Sequence, residues 1–163
     1  MGRFGNTHMG ISPSGAADNI SLRIGNLLLD NNINDPGIEI TLFGGSYYFN
    51  KDAIIVLSGS DFSSTIDGKI ISFYKPLSVK TGQTLSISQT TDGARCYLCI
   101  KGGFQVPPTL NSSSTHILSK IGGFDGRSLK KKDEIQFSSS NNQNVNKNKT
   151  EKPKQIGHIE KNE

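Results

Sequence analysis

Short apolar runs separated by turn signals constrain this chain more than anything else in its sequence. Asp67-Gly68, Thr81-Gly82 and Asp92-Gly93 each stand between two such runs. Asp67-Gly68 carries its own mechanism. A two-residue hairpin needs positive φ at both central positions, which Asp tolerates and Gly favours. The runs themselves read as strands. Over Gly37–Phe43, Ile38, Ile40 and Leu42 alternate with Glu39 and Thr41. Gly44-Gly45 is read as a break, with Tyr47–Phe49 starting the next strand. Ala53–Ser58, Phe62–Ile66, Lys69–Phe73, Pro76–Val79, Thr84–Ser88, Arg95–Ile100 and Glu134–Phe137 follow. Strands recurring at roughly ten-residue intervals predict an antiparallel barrel or sandwich. The composition agrees: 33% hydrophobic residues, 18 glycines and no Trp favour tight turns over a helix bundle.

One segment has a different period. Ile20, Ile24, Leu27 and Leu28 fall at helical spacing, flanked by Leu22 and Leu29. Ser14 or Asp18 is placed to accept the free backbone N–H groups at its start. Asp30-Asn31-Asn32 and Asp35-Pro36-Gly37 end it, which predicts one main helix from about 16 to 30. Residues 1–15 read as loop. From 138 to 163 the chain becomes an Asn/Lys-rich tract. Its apolar content is too low to offset the entropy of ordering, so this tail is expected to be disordered, with His158 an exposed bystander. The domain proper is therefore expected over 1–137.

The net charge of +4 is concentrated toward the C-terminus, at Lys130–Lys132 and in the tail. No aromatic side chains are interleaved there for base stacking, so a solvated tail is expected, with no nucleic acid bound. Cys96 and Cys99 lie three apart in a strand and point to opposite faces, which predicts two unpaired, reduced thiols. Neither they nor His8 and His116 have partners at metal-ligand spacing, so no metal site is expected. Gly122-Gly123 and Gly126 are not followed by Gly-Lys-Ser/Thr, so the chain shows no nucleotide motif of its own. No apolar run is long enough to span a bilayer, no signal peptide is seen, and the cytoplasm is the expected compartment.

Candidate chemistry gathers around the start of the helix. Gly2-Arg3 and the Ser14-Gly15-Ala16-Ala17-Asp18 loop bring a guanidinium, a hydroxyl and a carboxylate to it. In one reading Arg3 and the loop backbone hold an anion while Asp18 handles a proton. In the other, Asp18 or Ser14 caps the helix and Arg3 pairs with a nearby acid. Glu39 is either a site residue or a solvent-facing strand residue. Arg95 and Tyr97 share a strand face and either present a guanidinium and a phenol to a ligand or pack at the core and its rim. Asn26 is expected to hold a loop carbonyl, because a buried amide needs partners.

These segments occur in one order: Gly2-Arg3, Ser14–Asp18, Asn26-Leu27-Leu28, Glu39 to Gly45, Arg95–Leu98 with Gly102-Gly103, Ser114-Thr115, and Ile121–Leu129. As a set they resemble the first half of the family formed by the C subunit of 5-oxoprolinase. That family is also described as biotin-dependent carboxyltransferase-like, or allophanate hydrolase subunit 2, and includes the matching segment of urea amidolyase. The resemblance implies a mainly β, cyclophilin-like antiparallel barrel, here half of a two-part barrel. It implies an ATP-dependent 5-oxoprolinase or a carboxyltransferase acting on urea, with a small amide or lactam as substrate. The implied partner is a protein like the B subunit of 5-oxoprolinase, joined by the A subunit in the complex. ATP or biotin would enter at the level of that complex. Both reactions develop negative charge on an oxygen and move a proton, and by residue type that makes Asp18 and Arg3 the catalytic candidates, and Ser14, Gly15, Glu39, Arg95 and Tyr97 the substrate-binding ones. A non-catalytic binding module, like the family's kinase-inhibitor antagonist, is the alternative. The chain departs from the family in three ways: the segment that precedes Gly-Arg is missing, Lys132-Asp133 replaces a Gly-Asp pair, and the second half gives way to the tail. A truncated or split gene product accounts for all three. Such a chain is expected to be inactive alone and, with open strand edges, to self-associate.

Overall fold

The computed structural model describes residues 2–138 and 156–161. A single 3-10 turn, Thr7–Met9, precedes α1 (Asn19–Leu27). The strands are β1 (Ile38–Thr41), β2 (Phe43–Phe49), β3 (Ala53–Gly59), β4 (Ser64–Ile66) and β5 (Lys69–Ile70). They continue with β6 (Leu77–Val79), β7 (Thr84–Gln89), β8 (Arg95–Ile100), β9 (Glu134–Ser138) and β10 (Ile156–Lys161). One sheet runs β1-β8-β3-β6 and the other β5-β4-β7-β2-β10-β9, with every pair antiparallel. The described residues are mainly β, with one α-helix, as the turn spacing predicts.

The two sheets enclose the main core. Ile55, Leu57, Cys96, Leu98 and Ile100 contribute from one side, and Phe49, Leu85, Ile87 and Phe137 from the other. β8 is buried on both faces from Cys96 to Ile100, because α1 covers its outer side. Leu22 and Leu29 pack there against Val56, Tyr97 and Cys99. The two thiols therefore face opposite ways, Cys96 into the inter-sheet core and Cys99 under the helix. Burial pushes both up to about 12, with Asp61 adding to the effect at Cys96 and Asp35 at Cys99, so neither is a nucleophile near neutrality.

Three local expectations change. The helix is shorter than 16–30, and its apolar stripe faces outward. Ile20 and Leu27 are 66% and 58% exposed, while Ser21, Leu22, Gly25 and Asn26 are buried. Close approach decides the matter. A Cβ at Gly25 would lie 2.7 Å from Ser58 Oγ and 2.8 Å from Cys99 Sγ, and Ser58 Oγ donates to the Ser21 carbonyl at 2.8 Å. The small face is the one that fits the sheet, and periodicity alone does not reveal this. Second, the strand break falls at Leu42, whose φ is +60°, and not at Gly44-Gly45. Gly44 lies inside β2 because a Cβ there would collide with the Ile87 backbone of β7. Third, Ile156–Lys161, read as tail, forms β10 between β2 and β9. Ile159 is fully buried, and His158 is half-buried and hydrogen-bonded to Asn50. The rest of the expected tail, 139–155 and 162–163, lies outside the described residues.

The Asp67-Gly68 hairpin forms as expected, with φ of +47° and +79°. At Lys132, φ is +72°, in the left-handed region that favours glycine. A lysine there carries a left-handed penalty of about 1–2 kcal/mol, partly offset by the extra entropy glycine loses on folding. Lys132→Gly is therefore expected to stabilise the fold by about 0.5–1 kcal/mol, raising Tm by roughly 2–4 °C in a thermal melt.

Candidate functional site

A cavity of about 400 Å³ opens where the loop before α1 meets β1, β8 and the segment 113–129. Each side is placed by a distinct piece of sequence. Gly2-Arg3 runs beside Pro13-Ser14: the Arg3 N–H donates to the Pro13 carbonyl at 2.7 Å, and a Cβ at Gly2 would lie 2.7 Å from that oxygen. Ser14 and Gly15 both have positive φ, +56° and +93°, and this turns the chain into the helix. Gly15 and Ala16 thereby line the cavity, while Ser14 is exposed beside it.

Glu39 and Tyr97 are register partners across β1 and β8, so both project toward the helix start. Tyr97 Oη donates to Glu39 Oε2 at 2.9 Å and accepts the Asp18 backbone N–H at 2.7 Å. The Ala17 N–H donates to the same Glu39 oxygen at 2.9 Å, and Arg95 Nε donates to Oε1 at 3.1 Å. Three donors thus fix one carboxylate at the cavity wall. Arg95, two residues from Tyr97, meets Glu39 as a partly exposed ion pair. Tyr97 is 1% exposed. Burial, more than the neighbouring carboxylates, pushes its phenol well above the ordinary value, so it remains a neutral donor.

Asp18 is brought to this corner through its backbone, but its carboxylate caps α1. Oδ1 accepts from the Ile20 and Ser21 N–H groups at 3.1 and 3.0 Å, and Oδ2 accepts from Ser21 Oγ at 2.5 Å. The Ser21 hydroxyl leads in holding this carboxyl below its usual range. Arg3 is 1% exposed and lies behind the cavity wall, where its Nη2 donates to the Ser114 carbonyl. Its Nε and Nη1 have no hydrogen-bond partner among the described residues. The expected carboxylate partner for Arg3 is not what holds it. Asn26 is fully buried and donates to the Asp35 carbonyl at 2.9 Å, the loop-holding role expected of it.

The opposite wall was not legible from the sequence. Ser113, Ser114, Thr115, Phe124, Arg127 and Lys161 contribute to it. Arg127 grips Asp133 through two bonds, of 2.6 and 2.9 Å, and lies 5.1 Å from the Phe124 ring centroid. Arg127 lies in a motif singled out above, but Lys161 arrives on the unexpected β10. The Arg127 hydrogen bond, followed by that of the Lys130 N–H, holds the Asp133 carboxyl at about 2, below the usual 3.8. A depressed carboxyl stabilises the fold above its unfolded pKa and loses that contribution as pH falls. Stability is therefore expected to drop between about pH 4 and pH 2, and Asp133→Asn to flatten its share of the drop in acid denaturation. Asp52, held low chiefly by Lys80, and Asp18, held low chiefly by the Ser21 hydroxyl, titrate in the same acid range and add to the drop.

Other candidate features resolve into structural roles. His116 Nδ1 accepts the Ser119 N–H at 3.0 Å, which places the ring proton on Nε2. His116 therefore donates to Ser12 Oγ, 3.0 Å away, and does not activate it as a nucleophile. His8 is exposed on the 3-10 turn. The space beside Gly122, Gly123 and Gly126 is filled by the chain itself: a Cβ at these positions would collide with Arg3, Thr115 and Lys120 respectively. These glycines close-pack a loop and do not fit a phosphate cradle. Among the described residues, no group of three His, Cys, Asp or Glu side chains is placed to hold a metal ion. No described helix is long and apolar enough to cross a membrane.

A mainly β domain with a cleft at the mouth of α1, the only α-helix among the described residues, fixed by a Glu–Tyr–Arg corner, is the class the geometry defines. Residues 9–162 match the family model described as carboxyltransferase domain, subdomain A and B, and the chain belongs to that family. It is 43% identical over 143 residues to urea amidolyase of Saccharomyces cerevisiae, a match spanning 88% of this chain and 8% of that protein. It is 40% identical over 136 residues to the C subunit of 5-oxoprolinase from Haemophilus influenzae, spanning 83% of this chain and 44% of that one. The crystal structure of the K. lactis urea amidolyase superposes with a TM-score of 0.77 at 40% identity, covering 79% of this chain and 8% of the other. The chain thus spans less than half the length of each of these relatives.

Proposed function

We propose that this chain forms the leading part of a carboxyltransferase-type component that processes a small amide or lactam, 5-oxoproline or urea, in a multi-component complex. The observation that carries this reading is the Glu39 carboxylate, held by Tyr97, the Ala17 N–H and Arg95 at the wall of the cavity. Both reactions develop negative charge on a carbonyl oxygen and move a proton at an amide nitrogen. In carboxyl transfer to urea, the bond from the carboxyl carbon to its donor nitrogen breaks as the bond to a urea nitrogen forms, and the urea nitrogen gives up a proton that the released donor nitrogen takes up. In lactam opening, water adds its oxygen to the carbonyl carbon, the ring C–N bond breaks, and the nitrogen gains a proton drawn from that water. Glu39 serves either direction, accepting the proton in the first and returning it in the second. Tyr97 and the Ala17 N–H hold the carboxylate in one orientation, so no rearrangement is needed as charge develops. Arg95 places positive charge beside it, and Gly15 lets the backbone approach the bound group closely.

Asp18 and Arg3 act one step back in this scheme. Asp18 sets the helix start that aims the Ala17 N–H, and Arg3 braces the Ser114 wall. ATP or biotin chemistry belongs to the partner components, proteins like the B and A subunits of 5-oxoprolinase, since the glycine loop here does not fit a phosphate. The test is co-expression with those partners and with the remainder of the carboxyltransferase domain. ATP-dependent glutamate release from 5-oxoproline is assayed in one arm and ATP- and biotin-dependent carboxylation of urea in the other. Turnover in either arm, lost with Glu39→Gln, supports the proposal. A complex that forms and turns over neither substrate contradicts it and favours a binding module.

A further inference from the structure

β10 is the last described element of the chain, yet it is not at the edge of its sheet. It lies between β2 and β9, with Ile159 opposite Phe49 on one side and Ile135 on the other. Among the described residues, and apart from the isolated Phe104–Phe137 bridge, β9 joins the rest of the sheet only through it. The residues between the two strands, 139–155, far outnumber the two to five that a hairpin needs. The pairing is therefore not that of a tight hairpin, and its specificity is read from the strand's own contacts.

Those contacts are specific. Ile159 is fully buried in the inter-sheet core. Gly157 leaves room for the Phe137 ring, which a Cβ would approach to 2.6 Å. Asn50 clasps His158 twice: its Oδ1 accepts the backbone N–H at 2.8 Å, and its amide nitrogen lies 2.6 Å from Nδ1. At the far end, the Lys161 carbonyl accepts the Lys132 N–H at 2.6 Å, and the Lys161 N–H donates to the Asp133 carbonyl at 3.1 Å. The Lys161 side chain lines the cavity and reaches toward the Leu129 carbonyl at 3.4 Å.

We propose that β2 and β9 form a strand-binding groove whose occupant is the chain's own Ile156–Lys161, and that filling this groove completes one wall of the cleft. The strand behaves as a tethered peptide ligand, recognised by main-chain pairing plus an apolar anchor at Ile159 and a backbone key at Gly157. Its docking fixes the Leu129–Asp133 turn and brings an ammonium group to the cleft, so the shape of the site depends on a segment that is remote in sequence.

The test uses the full chain with a protease site placed between residues 141 and 150, cut after folding. The released C-terminal piece is expected to co-elute with the body on sizing and to exchange for a labelled synthetic peptide of residues 154–163. A peptide carrying Ile159→Asp is expected to bind at least tenfold more weakly. Amide-exchange protection at 127–135 should fall when the piece is removed and return when the wild-type peptide is added. If the stripped body precipitates, rescue by the wild-type peptide and not by the Ile159→Asp peptide supports the same conclusion. Dissociation of the piece with protection unchanged at 45–49 and 127–138 would overturn the proposal, as would equal binding of the two peptides.

Discussion

Replacing Phe49 with alanine is expected to remove about 3–5 kcal/mol of stability, a large part of the 5–15 kcal/mol typical of such a domain. The side chain is fully buried at the end of β2. Its ring meets Phe137 edge-on, with centroids 6.4 Å apart, and it stands opposite Ile159 in the register with β10. Truncation leaves a cavity where three strands converge, and neighbours held by two ladders cannot collapse into it. Phe43, on the same strand but 71% exposed, is the control, and Phe43→Ala should change stability by no more than about 0.5 kcal/mol. Urea denaturation of both variants reads the difference. A Phe49→Ala loss below about 1 kcal/mol would mean that the inter-sheet core does not centre on this position.

The second large effect is chemical. Glu39→Gln keeps the shape of the side chain and removes the charge that Arg95, Tyr97 and Ala17 organise. In the assembled complex, kcat is expected to fall by about a hundredfold or more, the scale of losing a positioned proton carrier. Tm should stay nearly constant, because the group lies at a partly open wall and its ion pair with Arg95 is solvent-accessible. Asp18→Ala should behave in the opposite way. Loss of the helix cap should cost about 1 kcal/mol, and Asp18→Ser should restore most of it. If Asp18→Ala abolishes turnover at unchanged stability while Glu39→Gln leaves it intact, the roles assigned to these carboxylates are reversed.

The sequence displayed much of this architecture because turns have local causes. Asp67-Gly68 needs only its own φ preferences to declare a hairpin, and the apolar run Ala53–Ser58 falls on β3, buried from Ile55 to Ser58. The orientation of α1 depended on a fact no local pattern holds. Gly25 and Ser21 fit the sheet more closely than the larger Ile20 and Leu27, so the small face turned inward. β10 was hidden for a related reason. Its surroundings are polar, and its strand character comes from the groove that receives it. Strand alternation put Arg95 and Tyr97 on one face and Glu39 on a neighbouring run, and the structure joins the three in one network. Asp18 and Arg3 were singled out by residue type, which cannot distinguish a cap from a proton carrier or a brace from a ligand contact. The wall built by Arg127 and Lys161 required the tertiary fold.

The most direct test of the Glu39–Tyr97 corner as the working site is titration of the assembled complex with 5-oxoproline and with urea, followed by calorimetry. Saturable binding of one of them to the wild type, weakened at least tenfold by Tyr97→Phe and by Glu39→Gln in complexes that remain folded and assembled, is the expected result. Binding of equal strength to the wild type and both variants would place the substrate elsewhere and contradict the account.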